Sequence, residues 1–460
     1  MRLGTIRRVS AVAGMALLGL CVSAVADLEA HAAPGANSNC RATKSCASAT
    51  STTTTVASTT TTVASTTTTV PSTTTTVPST TTTVPSGTCS GVNVSPSTDL
   101  QAAFDSAPEG TTFCFSPGTY VLTQHVVPRN YDRLISVTRR AAVLTGQGVY
   151  NGGFGVARES PPPPRDVLIQ GFVIERFMNP WDDFPRTPVH AGANWTILDN
   201  EIRFNKQAGV DVGTGMVLRG NSIHDNGRSG FVGAAVSNVL VEGNDIGWNN
   251  TERWDPYHEA GGGKILKAQN VTFRNNRVHD NYGPGLWTDW ETIAITYENN
   301  TLERNYGPGI LHEASADAVI RNNTFVGNGL VGSGRSLWWA ADLFLNDSKN
   351  VEIYGNTITA GVHGISLTDI DRGSNAYGLL EIRNVNVHDN TITLPNGGTT
   401  GMVGERSTAY TSANNRFTNN TYKVKSLTAA SFRWGAAGTE MTWSQWRNNG
   451  NDLTGTISTY

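Results

Sequence analysis

Eight short segments of the chain end alike. "WTILDN", "MVLRGN", "VLVEGN", "VTFRNN", "ITYENN", "AVIRNN", "VEIYGN" and "VNVHDN" each run apolar or β-branched residues into Gly, Asn or Asp and then Asn. The closing Asn falls at 200, 221, 244, 276, 300, 323, 356 and 390, so the spacings are 21, 23, 32, 24, 23, 33 and 34. A second Asn follows five residues later in six consecutive units, at Asn205, Asn226, Asn249, Asn281, Asn305 and Asn328. Strands of about 4–6 residues joined by tight turns at this period stack into a solenoid, each strand pairing with its copy ~4.8 Å along the axis. Asn at one fixed position then forms a ladder of side-chain amides. A leucine-rich repeat is excluded by the missing Leu pattern and helical half, and a left-handed hexapeptide coil by the missing six-residue period. The basic unit is 21–24 residues, and three coils carry insertions.

The N-terminal part reads differently. Arg2, Arg7 and Arg8 precede the apolar run "AVAGMALLGLCVSAVA", too short to span a bilayer, and "AVA" (24–26) and "AHA" (30–32) fit the small-residue cleavage rule. Residues 1–32 are expected to be a signal peptide; Leu20 argues against a lipid anchor on Cys21. Residues 33–88 are expected to be a disordered Thr/Ser/Pro-rich linker, in which "STTTTVA" or "STTTTVP" recurs five times over 51–85. One apolar residue per repeat cannot bury a core or a coiled-coil seam, so this is an extended spacer that gives the following domain reach. No other apolar run approaches ~20 residues, so no membrane insertion is expected. The expected location is secreted, with cell-wall association as a role for the spacer, and the expected state is a monomer. Net charge is -3 with 15% charged residues, which leaves no basic surface for nucleic acid. Signal cleavage leaves Cys40, Cys46, Cys89 and Cys114; nearest-neighbour pairing gives Cys40–Cys46 and Cys89–Cys114, one of three connectivities.

Residues 89–145 are read as an N-terminal cap with the first coils. Leu100, Ala103, Phe104 and Ala107 share one helical face, with Ser97 or Thr98 as N-cap. Residues 146–420 form the solenoid, and 421–460 close it, with Trp434, Trp443 and Trp446 as packing residues. The Asn-ended strands and the "SPGTY" opening resemble the right-handed parallel β-helix proteins of the pectate-lyase-like superfamily. The resemblance implies an all-β right-handed parallel β-helix with a helical N-terminal cap and a C-terminal cap. Polysaccharide lyases, glycoside hydrolases and epimerases share that fold, which therefore does not decide an activity.

The chemistry centres on a duplication. "NYGPGLWTDW" (281–290) returns 24 residues later as "NYGPGILHEA" (305–314), matching Leu286 with Ile310 and Asp289 with Glu313. Strand alternation sends Leu286 and Ile310 inward and the two acids outward, roughly 5 Å apart at the backbone. Carboxylates that close raise one pKa, which suits a general acid beside an ionised partner in glycoside hydrolysis. The pair could equally grip Ca²⁺. Lys264 lies about one coil below, and His312 is either a polar core residue or a catalytic one. The two insertions bring Arg253, Trp254, His258 and Glu259 on one side, and Arg335, Trp338, Trp339 and Asp342 on the other. With Trp287 they are expected to wall an exposed trough whose aromatic faces stack on sugar rings.

The leading expectation is a secreted enzyme that hydrolyses glycosidic bonds of an extracellular polysaccharide through Asp289 and Glu313, with no required cofactor. The alternatives are a Ca²⁺-dependent lyase on a uronate polymer, with Lys264 or His258 as base, and a non-catalytic glycan-binding surface protein.

Overall fold

The computed structural model describes residues 89–148, 152–155, 163–178, 187–330, 337–436 and 438–460, which belong to the second of two compact units, Thr81–Tyr460. The signal-peptide and linker expectations, and the Cys40–Cys46 pairing, lie outside the described residues.

Three sheets of thirteen strands make the unit. Sheet I runs from Val92–Val94 to Arg416–Thr418, sheet II from Gly118–Val121 to Thr456–Thr459, and sheet III from His125–Val126 to Glu440–Met441. The chain visits III, I and II in turn, and strands one coil apart pair in parallel. Ile197, Leu218, Val241, Phe273, Tyr297, Ile320 and Ile353 form one inward column of sheet I in register. All of them are buried. The fold is a right-handed parallel β-helix.

The repeated Asn residues explain why the coils stack in one register. Asn276 Nδ2 donates to Val241 O (2.9 Å) and to Asn300 Oδ1 (2.9 Å), while its own Oδ1 accepts from Asn244 Nδ2 (3.0 Å) and Asn244 N (3.0 Å). The same pattern runs from Asn200 to Asn420 and ends on Asp452 Oδ1. The second column runs from Asn205 to Asn328 and ends earlier, on Asp342 Oδ1 (2.7 Å). The residue before each first-column Asn lies in the left-handed region, as at Asp199 (φ 55), Gly220 (φ 65), Asn275 (φ 55) and Asp389 (φ 54). Only Gly, Asn and Asp adopt it readily, which accounts for the endings seen in the sequence.

The N-terminal helix Leu100–Ser106 buries Leu100 and Phe104 against the open end. Its N-cap is Asp99, whose side chain accepts from Ala102 N, and not Ser97 or Thr98. Cys89 and Cys114 form a disulfide with Cα atoms 5.8 Å apart. At the other end the stack runs on through the stretch expected to be cap alone, since Thr421–Val424 pairs in parallel with Thr456–Thr459. Trp434, Trp443 and Trp446 all pack into or against the core, and Trp446 Nε1 donates to Asp452 Oδ2 (3.0 Å).

Candidate active site

Strands Leu286–Asp289 and Ile310–Glu313 sit side by side in sheet III, with Leu286 opposite Ile310, Trp287 opposite Leu311 and Thr288 opposite His312. Alternation divides these residues between the two faces. Leu286, Thr288, Ile310 and His312 point inward and are fully buried. Thr288 Oγ1 lies 2.7 Å from both Tyr297 Oη and His312 Nδ1, and burial pushes the imidazole down to about 3 despite the charge of Asp289. The catalytic assignment of His312 is therefore corrected. It is a neutral core residue, on the opposite face of the sheet from the two acids.

The outward residues form a connected ionic group. Lys264, on strand Gly261–Leu266, stands opposite Trp287 and places Nζ 2.8 Å from Asp289 Oδ2. The same ammonium donates to His258 O (2.9 Å) and lies 3.5 Å from the centroid of the Trp287 ring. Asp289 Oδ1 accepts from Trp290 N (2.7 Å), so both carboxylate oxygens are fixed. One coil on, Glu313 Oε1 accepts from Arg372 Nη1 (2.7 Å) and from Asn346 Nδ2 (3.0 Å). Arg372 Nε donates to Asp347 Oδ2 (2.6 Å). Burial raises the Glu313 carboxyl above the usual range, and the charge of Asp289 adds to that, against Arg372 and Lys264.

Arg372 was not anticipated. It comes from a third insertion, whose hairpin pairs Ser374–Asn375 with Gly378–Leu379. This hairpin is tied down by Asn375 Nδ2 to Ala314 O (2.9 Å), by Ala376 N to Glu291 Oε1 (3.0 Å), and by Lys349 Nζ to Tyr377 O. Glu313 is consequently only 7% exposed, so the expected open trough is corrected to a covered one at this residue. The signal was the 34-residue interval between Asn356 and Asn390, which exceeds the basic unit by about as much as the other two insertions do.

The aromatic residues also differ from expectation. Trp287 is buried with Leu311, Ala341, Phe344 and Val403, while Trp339 packs edge-on against it at 6.2 Å. Tyr257 meets Trp339 at 5.0 Å, so the first and second insertions touch above the floor. With one side under Lys264 and only 3% exposure, Trp287 offers no open face for a sugar, which corrects its substrate-stacking assignment. Asp342 is corrected too: it is fully buried, ends the second Asn column and accepts from Gly361 N (3.0 Å). Burial pushes its carboxyl up to about 7.

The remaining candidates do not converge on the acids. Glu259 pairs with Arg228, and Arg253 lies over the Tyr282 ring at 4.0 Å, on the stack that Tyr282 makes with Tyr306. Trp254 is 37% exposed, with the Arg228 guanidinium 5.9 Å from its ring, and the His258 residue is exposed. Arg335 and the Trp338 side chain lie outside the described residues. Among the described residues, no group of three or more His, Cys, Asp or Glu is placed to hold a metal ion.

Comparison with known proteins agrees with the architecture. A family model described as right handed beta helix region matches residues 189–343. No curated protein matches the chain in sequence. Among solved structures, the A-module of a mannuronan C-5 epimerase from Azotobacter vinelandii superposes with TM-score 0.45 at 19% identity, over 78% of this chain and 93% of that one. The catalytic unit of an alpha-1,3-glucanase from Streptomyces thermodiastaticus gives TM-score 0.49 at 14% identity, over 78% of this chain and 65% of that one. A surface adhesin of Streptococcus pneumoniae gives 0.45 at 14% identity, over 70% and 79%. These similarities are of fold.

Proposed function

We propose that the protein is a carbohydrate-active enzyme that hydrolyses glycosidic bonds of an extracellular polysaccharide. The observation that carries this reading is the unequal setting of two carboxylates on neighbouring strands: Asp289 is ion-paired to Lys264, whereas Glu313, though bonded to Arg372, is buried and raised. Such a pair divides acid and nucleophile roles. Glu313 would give its proton to the glycosidic oxygen as that bond breaks, and Asp289 would bond to the anomeric carbon. The Glu313 carboxylate would then take a proton from the water that displaces Asp289. Neighbouring coils stand ~5 Å apart at the backbone, and a carboxyl separation near that value would favour this retaining route, since inversion needs room for a water between the acids. Lys264 holds Asp289 toward the reacting carbon, and Arg372 with Asn346 holds Glu313. The N-terminal segments fit export and a spacer that holds this domain at a cell surface.

The test is incubation of the full chain with a glycan panel, reading new reducing ends alongside ultraviolet absorbance from unsaturated uronate. Saturated reducing ends that survive chelator support hydrolysis. Unsaturated ends would replace it with a lyase, and no product from any glycan would leave a binding protein.

A further inference from the structure

We propose that the outer face of sheet III just beyond Glu313 is a binding subsite for a neutral, hydroxyl-rich sugar, built by Asn346, Thr368 and Arg372. The inference rests on the reading of Asp289 and Glu313 as the reacting pair and names its substrate class: a neutral glycan, not a polyuronate. Glu313, Asn346 and Thr368 stand opposite one another on three successive coils, and all three point outward. They are 7%, 5% and 7% exposed. Ser366, two residues before Thr368 on the same face, is fully buried.

Four polar atoms of this group are buried without a hydrogen-bond partner: Asn346 Oδ1, Thr368 Oγ1, Ser366 Oγ and Arg372 Nη2. A buried polar atom left unbonded is expensive, so a cluster on adjacent coils of one face points to a ligand that completes it. The atoms also state what that ligand offers. Asn346 Oδ1 only accepts, Arg372 Nη2 only donates, and the two hydroxyls do both. Sugar hydroxyls, each a donor and an acceptor, answer such a mixed set.

Charge decides against an acidic sugar. The three cations that reach the site are already paired, Lys264 with Asp289, Arg372 with both Glu313 and Asp347, and Arg406 with Asp369 beside Asp347. A uronate carboxylate would thus be desolvated beside four acids, Asp289, Glu313, Asp347 and Asp369, with only the open Arg372 Nη2 to bind it. A metal ion would meet the Arg372 guanidinium. The hairpin at 374–379, which follows Arg372 in the chain, would have to lift to admit a sugar.

The experiment uses the full chain carrying E313Q, which binds without turnover, with D289N as the second variant if E313Q fails to fold. Calorimetry is run with neutral oligosaccharides (glucans, galactans, mannans) and with oligomers of alginate and polygalacturonate. Binding of a neutral oligosaccharide and not of the uronates is expected, with T368V weakening it at least tenfold and T368S restoring it. Tighter binding of uronates, unchanged affinity in T368V, or no binding to any oligomer would overturn the subsite. Failure of the two ideas is separable. Neutral-glycan binding that depends on Thr368, without bond cleavage by the wild type, upholds the subsite and removes hydrolysis. Hydrolytic cleavage of a polyuronate removes the subsite and keeps hydrolysis.

Discussion

Two polar arrays run along the same stack of coils. In the turns between sheets I and II, each Asn amide of the first column donates to a backbone carbonyl and to the side-chain oxygen of the next coil, as Asn221 does to Ile197 O (2.8 Å) and Asn244 Oδ1 (3.0 Å). On the outer face of sheet III, Asn346 is equally buried, yet its Oδ1 has no partner. The same residue type is thus complete in one array and incomplete in the other. A complete array fixes register and needs nothing more from its surroundings. An incomplete one is tolerated only where something else supplies the bonds, which is why the ladders read as scaffold and the outer face as site.

The largest effect separating them is expected from N276L. It removes four side-chain hydrogen bonds and leaves buried groups on both neighbouring coils unpaired, a loss of roughly 4 kcal/mol or more. Chemical denaturation should show that loss, with the specific activity of the remaining folded protein unchanged. A mild effect would mean that the ladder is not what fixes register.

E313Q should do the reverse. Hydrolysis should fall by ~10² or more in kcat, because the amide cannot deliver a proton, while it can still accept from Arg372 and Asn346. Near-normal activity would return Glu313 to the scaffold.

A smaller effect is expected where a column ends. Burial keeps Asp342 protonated to about pH 7 in the folded chain, whereas its ordinary value is 3.8. The folded state therefore binds the extra proton between those values, and this group's contribution to stability is fully present below about 4 and is lost as pH rises to about 7. Asp347, pushed up to about 6 by burial, adds in the same direction. His312 and His363, held neutral to about 3 and about 4 by burial, act oppositely below their ordinary 6.5, so the test is the difference between variants: D342N should shift the melting temperature at pH 7.5 upward relative to that at pH 5, compared with the wild type.

The smallest effect belongs to R372Q. Arg372 lowers the Glu313 carboxyl, so its removal should move the alkaline limb of the pH–rate profile upward with a modest loss of kcat. A limb that does not move would detach Arg372 from the acid.

The ladders were legible in the sequence because one residue type repeats at one position, and the physics that requires it is local. The outward placement of Asp289 and Glu313 was legible for the same reason, since a period of two within a strand decides the face. Lys264 came within reach once its strand register was fixed, two residues before Leu266, which opposes Asp289. What covers those residues was not legible. Arg372 reaches Glu313 across 59 positions of sequence, and Trp339 folds onto Trp287 from an insertion with no periodicity of its own. The burial of His312 and Asp342 follows from alternation and from the end of a ladder, respectively.

The two "NYGPG" coils have one more implication, which concerns origin. They differ by a single residue in length, 24 from Asn281 to Asn305 and 23 from Asn305 to Asn328, and Gly285 and Gly309 occupy equivalent positions, where an added Cβ at Gly285 would lie 2.6 Å from Gly309 O. In a stack that contacts only its neighbours, copying one such unit of 24 residues adds a coil without disturbing those above and below. The copy also arrives with its outward acid already aligned, one strand spacing from the original. A second carboxylate at a chemically useful distance is then the ordinary product of a tandem duplication, and only the surroundings of each copy remain to be differentiated.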